Sequence, residues 1–139
     1  MSEALDFVSI PKAISGALSG AGNLQVIIPV HGRKNISFVE TWDGTLNATP
    51  QIWVSNDYRD PGNGNATQIA FEEGRAKWTL INDPSIAAFL ATAPPNGGKP
   101  SGAPGDAVLV MPITFAAVRW RATWVSGSGN YTLDAEVGQ

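Results

Sequence analysis

The sequence predicts an all-β protein, an antiparallel β-sandwich of jelly-roll-like type with about eight strands, one short helix and an extended N-terminal arm. Two observations lead to this fold class. Short runs of alternating apolar and polar residues recur along the chain, and 15 Gly and 10 Pro residues supply many turns. A length of 139 residues suits one domain with a sizeable core. We expect an arm at 1–22 and the sandwich domain at 23–139.

Composition argues against several kinds of partner. The formal net charge is −3 and the 9 basic residues are scattered, which disfavours a nucleic-acid or anionic-membrane surface. Without Cys, neither a disulfide framework nor a thiolate metal site is available. The start of the chain has no secretory-signal pattern, and no apolar run reaches transmembrane length. We therefore expect synthesis as a soluble cytoplasmic chain, without a membrane partner.

The predicted arm, residues 1–22, contains many large apolar side chains. Pro11 and three Gly residues interrupt them, and the spacing fits neither a helix nor a strand. So many apolar groups imply that the segment packs against something. Two alternatives stay open, namely that it lies on a neighbouring subunit or that it folds back on its own domain.

Strands are predicted wherever β-favouring residues alternate between turn signals. The first two are Leu24–Val30 and Asn35–Trp42, and Pro29 indicates that the first lies at a sheet edge or a bulge. Within the second, Glu40 interrupts a row of apolar residues. The other strands before the C-terminal part are Gln51–Ser55, Ala66–Glu72, Ala76–Asn82 and Ala107–Pro112.

The C-terminal part of the chain carries the strongest alternation. Two segments between residues 115 and 137 flank a Ser/Gly turn at 126–129, and we predict that they form a β-hairpin. Its register would join apolar to apolar and basic to acidic side chains, which fixes alignment. The predicted pairs are Trp124 with Tyr131, Trp120 with Ala135, Arg121 with Asp134, and Arg119 with Glu136.

A helix and a long loop separate the two groups of strands. Asp83 at an N-cap position followed by Pro84 predicts a helix near Ser85–Ala91. The next segment, Pro94–Asp106, holds four Pro and four Gly residues. This composition predicts an extended loop.

Motifs that would carry catalysis or metal binding are weak. The single His, His31, lies in a turn, and no G-x-S-x-G sequence occurs. Oxygen donors at Asn56, Asp57, Asp60, Asn63 and Asn65 could suit calcium, but their spacing is not that of a calcium loop, and Asx residues are common turn formers. We expect no enzymatic activity, no cofactor and no metal site.

Five Trp residues raise the possibility of a sugar-binding surface, because sugars stack on exposed aromatic rings. Trp42, Trp120 and Trp124 share the parity of apolar neighbours and are predicted to lie in the core. Trp53 and Trp78 stay open between core packing and a sugar platform, and the platform would require an exposed ring beside polar groups.

Three segments carry a family resemblance. They read T-W-D-G-T at 41–45, I-W-V-S-N-D at 52–57, and V-R-W-R-A-T-W-V-S-G-S-G-N-Y-T-L at 118–133. In this order they resemble small β-sandwich virion proteins of tailed bacteriophages, over about residues 24–57 and 107–137, and the shared motifs are structural. The chain departs from the pattern at Tyr58, where a turn Gly is expected, and in its longer segments 1–22 and 58–106.

The resemblance implies a non-enzymatic structural role in the virion. The preferred form is a capsid decoration (cement) protein bound to the major capsid protein, as a homo-oligomer and most simply a trimer. A tail, head-to-tail connector or fibre-associated component bound to tail proteins is the alternative, as is a carbohydrate-binding host-adsorption module. Apolar arms and Pro-rich loops gain burial on neighbours. We therefore expect intersubunit contacts from Leu5, Phe7, Val8, Ile10, Pro94, Pro95, Lys99, Pro100 and Pro104.

Overall fold

A computed structural model describes residues 8–30, 32–58 and 76–138. It confirms the predicted all-β class, since these residues form eight strands in two antiparallel sheets with one short helix. The elements are β1 (Val8–Leu18), β2 (Asn23–Pro29), β3 (Asn35–Trp42), β4 (Asn47–Ser55), β5 (Thr79–Leu80), α1 (Pro84–Ala91), β6 (Gly105–Pro112), β7 (Ala117–Ser126) and β8 (Gly129–Gly138).

The strand order is that of a jelly roll. Sheet A has the order β1-β8-β3-β6 and sheet B the order β2-β7-β4-β5. The first strand thus pairs with the last, the second with the seventh, the third with the sixth and the fourth with the fifth. Most connections in the chain therefore cross from one sheet to the other.

The predicted C-terminal hairpin is wrong. β7 pairs with β2 and β4 in sheet B, whereas β8 pairs with β1 and β3 in sheet A. The alternation nevertheless places the apolar residues correctly, because Trp120 and Tyr131 both enter the core, from facing sheets. Alternation specifies which face of a strand is buried, but it does not specify the neighbouring strand.

The turn after β3 and the turn after β7 lie against each other at one end of the sandwich. The Thr45 N–H donates to the Ser128 carbonyl oxygen at 2.8 Å, and the Asn130 N–H donates to Asp43 Oδ1 at 2.7 Å. A Cβ added at Gly129 would lie 2.0 Å from the Asp43 carbonyl oxygen. The glycines of the predicted hairpin turn therefore serve the close contact between two crossovers.

The described part of the predicted arm belongs to the sandwich. Val8–Leu18 pairs with β8 as a strand of sheet A, so this segment folds back on its own domain, the second of the two alternatives. Lys12, at φ 51°, lies in a bulge, and Asp134 accepts a hydrogen bond from its N–H at 2.6 Å. Lys12 and Gly16 occupy positions that would be apolar in a regular strand, which hid the alternation.

Pro29 lies at a sheet edge, as predicted. The Trp124 N–H donates to the Gly22 carbonyl and the Val30 N–H to the Ala116 carbonyl, so the even-numbered residues of β2 bond to β7. Pro29 has the opposite parity. Its ring nitrogen therefore faces the free edge of sheet B, where no N–H is needed.

The remaining predicted elements agree with the structure to different degrees. The predicted span of β3 is confirmed, β4 begins four residues earlier than predicted, and β5 is shorter. Asp83 caps α1 by accepting hydrogen bonds from the Ser85 and Ile86 N–H groups. The predicted strand Ala66–Glu72 and His31 lie outside the described residues.

The core fills the space between the sheets. Phe38 of sheet A and Trp120 of sheet B contact each other, with ring centroids 4.8 Å apart. Of the three Trp residues assigned to the core, Trp42 and Trp120 are buried and Trp124 is half-buried. Within the part of the chain that the structure describes, no helix is long and apolar enough to cross a membrane.

Substitutions at Trp120 test the packing of the core. Trp120→Ala should lower the free energy of unfolding by about 3–5 kcal/mol, because it leaves a large cavity between the sheets. Trp120→Phe should cost less, since it retains the contact with Phe38. Urea denaturation measures both, and equal effects of the two substitutions would contradict the packing described.

Candidate functional site

The residues predicted to make intersubunit contacts do not form one site. Val8 and Ile10 lie in β1, at one edge of sheet A, whereas the loop that starts at Pro94 leads into β6 at the other edge. Leu5 and Phe7 lie outside the described residues. The arm and the loop therefore cannot act as one continuous contact surface through their described parts.

The Pro/Gly-rich loop is attached to its own domain. The Gly98 N–H donates to the Phe89 carbonyl at 2.9 Å, and the Pro100 carbonyl accepts from the Ala48 N–H at 3.2 Å. Pro100 is buried and Pro94 and Lys99 are half-buried, whereas Pro95 and Pro104 are exposed. The last two residues of the predicted loop are the first two of β6. The loop covers one end of the sandwich, and its exposed prolines are what it offers to a neighbour.

A buried hydrogen-bonded chain crosses the core below this loop. The Trp120 indole N–H donates to the Tyr131 hydroxyl oxygen at 2.9 Å, and that hydroxyl donates to Glu40 Oε2 at 2.5 Å. Glu40 is only 1% exposed and has the same inward parity as its apolar neighbours. The residue that interrupts the apolar row of β3 is thus a polar core residue linked to both sheets.

Burial determines the protonation of this chain. Desolvation raises the pKa of Glu40 to about 8, and the hydrogen bond from Tyr131 only partly opposes it. Burial and the adjacent carboxyl group also raise the pKa of Tyr131. Glu40 Oε1 has no partner among the described residues, and a Cβ added at Gly98 would lie 2.3 Å from it. The neutral carboxylic acid is the form that this environment favours.

The outer face of sheet B carries aromatic and cationic side chains. The Arg119 Cζ lies 4.4 Å from the ring centroid of Trp53 and 5.0 Å from that of Trp78, and the Arg121 Cζ lies 5.0 Å from the Trp53 ring. Arg121 also donates to Gln25 Oε1 at 3.0 Å. The predicted Arg–carboxylate pairs of the hairpin are therefore not formed. We call these four residues, Trp53, Trp78, Arg119 and Arg121, the aromatic-cationic surface.

Asp57, one of the candidate calcium ligands, closes a turn. Its Oδ1 accepts hydrogen bonds from the Lys77 N–H at 2.9 Å and the Ser55 hydroxyl at 2.8 Å, and the first of these is the main cause that lowers the pKa of Asp57. Asp60, Asn63 and Asn65 lie outside the described residues. In the described ranges, His, Asp and Glu side chains form no group of three that could hold a metal ion.

The outer face of sheet A combines an apolar row with acidic residues. Val39, Val108 and Val110 are 39%, 60% and 66% exposed, and Val39 is directly opposite Val108 in the β3–β6 ladder. Asp134 lies opposite Val39 on its other side, in β8, and Glu136 follows on the same face. We call Val39, Val108 and Val110 the valine row. Sequence analysis missed it, because alternation in β6 does not tell which valines face solvent.

A pocket of about 240 Å³ lies between α1 and β4. Apolar side chains such as Ile52, Leu80 and Leu90 form most of its wall, and Lys99 of the loop also lines it. This lining provides one cationic group and no carboxylate beside it.

Comparison with known proteins gives fold-level likeness only. No family model and no curated protein matches the chain. The K3 cleaved adhesin domain of Lys-gingipain from Porphyromonas gingivalis has a TM-score of 0.38 at 13% identity, over 94% of this chain and 72% of that chain. The enzymatically active domain of bacteriophage CBA120 tailspike protein 4 has a TM-score of 0.46 at 9% identity, over 95% and 19%. Dimeric latent PorU from P. gingivalis has a TM-score of 0.39 at 10% identity, over 96% and 12%.

The chain thus spans less than a quarter of the tailspike domain and of PorU. Likeness at these TM-scores carries no argument about function. The function has to be inferred from the surfaces of this chain.

The buried carboxyl group predicts a pH-dependent stability. The pKa of Glu40 is about 8 in the folded chain and about 4.5 when solvated. In the pH interval between these two values, the native state holds a proton that the unfolded state has lost. The free energy of unfolding should therefore fall as the pH rises through this interval, by up to about 1.4 kcal/mol per pH unit.

Glu40→Gln should flatten this slope, because it removes the titrating group and retains an acceptor for Tyr131. Glu136→Gln, which changes an exposed carboxylate, is the matched control and should keep the slope. Urea denaturation of the three proteins between about pH 5 and pH 8 gives the comparison. A slope in E40Q as steep as in the unsubstituted protein would contradict the assignment.

Proposed function

We propose that this chain is a non-enzymatic structural protein of a bacteriophage virion, most simply a decoration protein that binds the outside of the head and stabilises it. The resemblance of residues 24–57 and 107–137 to phage virion sandwiches supplies the virion class. The observation that carries the assembly role is the valine row on the outer face of sheet A.

Exposed valines in one row favour contact with another protein surface. Val108 and Val110 keep more than half of their surface in water, and Val39 extends the row onto the neighbouring strand. Burial of apolar surface contributes about 25 cal/mol per Å², and exposed apolar patches with a polar border are typical of interaction sites. The row is therefore a docking surface for another virion protein.

The acidic border of the valine row indicates the chemistry of the partner. Asp134 and Glu136 lie on the same outer face, so an apolar surface bordered by Lys or Arg residues would be complementary. On the head, the partner is the major capsid protein. A tail or connector protein with such a surface is the alternative, and the number of copies per particle distinguishes them.

A substitution in the valine row tests this proposal. Val39→Lys should weaken binding to purified particles that lack the protein by at least tenfold, since it places a charge in the apolar contact. Asn23→Lys adds the same charge at an exposed position of β2, in sheet B, and should bind normally. Co-sedimentation and quantitative mass spectrometry of the particles measure binding and copy number. Absence of the protein from purified virions would overturn the proposal.

The aromatic-cationic surface favours a second candidate function, glycan binding during adsorption to the host. Trp53 and Trp78 are half-buried beside two guanidinium groups, and aromatic rings with Arg suit saccharides that bear carboxylate or sulfate groups. Because Arg119 and Arg121 lie over the Trp53 ring, a sugar would meet the guanidinium groups as well as the indoles. Jelly-roll domains include both capsid proteins and lectins, so the fold does not choose between them.

Intrinsic fluorescence tests the second candidate. Acidic glycans should change the Trp emission of the protein, and Trp78→Ala should reduce that change, whereas neutral glycans should have a smaller effect. Emission that stays constant across a panel of acidic and neutral glycans would remove glycan binding as a function.

A further inference from the structure

We propose that β6 pairs with β6 of a second copy of this chain around a two-fold axis, which joins the two four-stranded A sheets into one sheet. The inference deepens the assembly role and rests on it for its place in a virion. The pairing itself follows from the geometry of one strand, β6.

One side of β6 has free main-chain groups. The Ile113 N–H donates to the Lys34 carbonyl at 2.9 Å, and this pair continues the β3–β6 register. The odd-numbered residues of β6 therefore form the main-chain hydrogen bonds to β3. The N–H and C=O groups of Asp106, Val108 and Val110 therefore point away from β3. Among the described residues, no main-chain group outside β3 is hydrogen-bonded to β6.

Two of the other three sheet edges carry features that prevent pairing. β1 has Pro11 and the bulge at Lys12, and β5 has only two residues. β2 ends in a Pro residue as β6 does, but its other exposed side chains are Asn23 and Gln25, whereas β6 exposes Val108 and Val110. Short strands, bulges, Lys and Pro are the usual means of protecting an edge. β6 is eight residues long, contains no Lys or Arg, and has its single Pro at the last position.

An antiparallel pairing of β6 with itself fits one register well. With Leu109 on the two-fold axis, Val108 lies opposite Val110 of the second copy, and Asp106 lies opposite Pro112. Val108 and Val110 have outward main-chain groups, so each such pair exchanges two hydrogen bonds. Pro112 lacks an N–H, but its carbonyl can accept from the Asp106 N–H at each end.

Side chains favour the same register. The exposed valines become cross-strand neighbours on one face, which is the kind of pair that stabilises a sheet. The two Asp106 residues, which are the charged residues of β6, lie at opposite ends of the paired strands. Like charges are thus kept apart.

The pairing would also join the two valine rows. Val39, Val108 and Val110 of each copy face the same side of the extended sheet, so the dimer would present one larger apolar surface in place of two small ones. A larger continuous patch supports a stable contact better. Edge pairing would therefore enlarge the surface available for docking on the particle.

Val110→Pro is the first test, because it removes an outward N–H without touching the ladder to β3. The matched control is Ile27→Pro, which removes an outward N–H from the edge of sheet B. Sedimentation of the full chain should give a dimer for the unsubstituted protein and for I27P, and should raise the dissociation constant at least tenfold for V110P. Circular dichroism checks that each variant is folded.

Charge substitutions test the register and do not depend on the folding of a Pro variant. V108K/V110K places Lys opposite Lys at both pairs and should give monomers. V108K/V110E places Lys opposite Glu and should restore the dimer, but only if position 108 faces position 110. A dimer that V108K/V110K leaves intact, or that V108K/V110E fails to restore, overturns the pairing.

The unsubstituted protein also has to have the expected size. A protein that remains monomeric at about 100 μM would overturn two-fold edge pairing. So would the trimer that the family resemblance implies. The proposed function fails differently, because it is judged by binding to particles. Val39→Lys should impair particle binding and leave the solution dimer intact, since Val39 belongs to β3 and has no part in the edge.

Discussion

The hydrogen bonds between the two crossover turns, 43–46 and 127–130, constrain the whole sandwich. They hold the end of β3 and the start of β8 together in sheet A. The other strands that these turns connect, β4 after the first turn and β7 before the second, are neighbours in sheet B. Each turn therefore links two sheets and aligns two ladders. A Gly residue in each turn permits the approach, since a side chain at Gly44 or Gly129 would overlap main-chain atoms of the opposite turn.

Strand positions and side-chain parity could be predicted from the sequence, because they follow from local alternation of apolar and polar residues. Strand partners could not, since Trp120 and Tyr131 satisfy the same alternation whether they are neighbours in one sheet or face each other across the core. β1 was hidden because the bulge at Lys12 and the missing side chain of Gly16 interrupt the apolar alternation. Glu40 was visible as an anomaly, but its partner Tyr131 could be identified only from the fold.

The correction of strand partners changes the charge distribution of the protein. In a hairpin, Arg119 and Arg121 would neutralise Asp134 and Glu136 on one face. In the jelly roll these residues lie on opposite outer faces, with the arginines against Trp rings and Asp134 bonded to the Lys12 N–H. The sandwich therefore has an acidic face that includes the valine row and a cationic, aromatic face. One protein can then contact two chemically different partners.

The Pro/Gly-rich loop fixes the exposed edge strand of sheet A. The Pro/Gly-rich loop ties the entry to β6 onto its own domain through Pro100 and the Trp42 indole, whose N–H donates to the Ala103 carbonyl at 2.9 Å. β6 is thus held in a fixed position although one of its sides has no strand. A rigid edge keeps its hydrogen-bonding groups in an ordered row before the partner arrives. Pairing therefore costs little additional conformational entropy in β6. In this way the loop predicted to contact neighbours contributes indirectly, because it orders the strand that can do so.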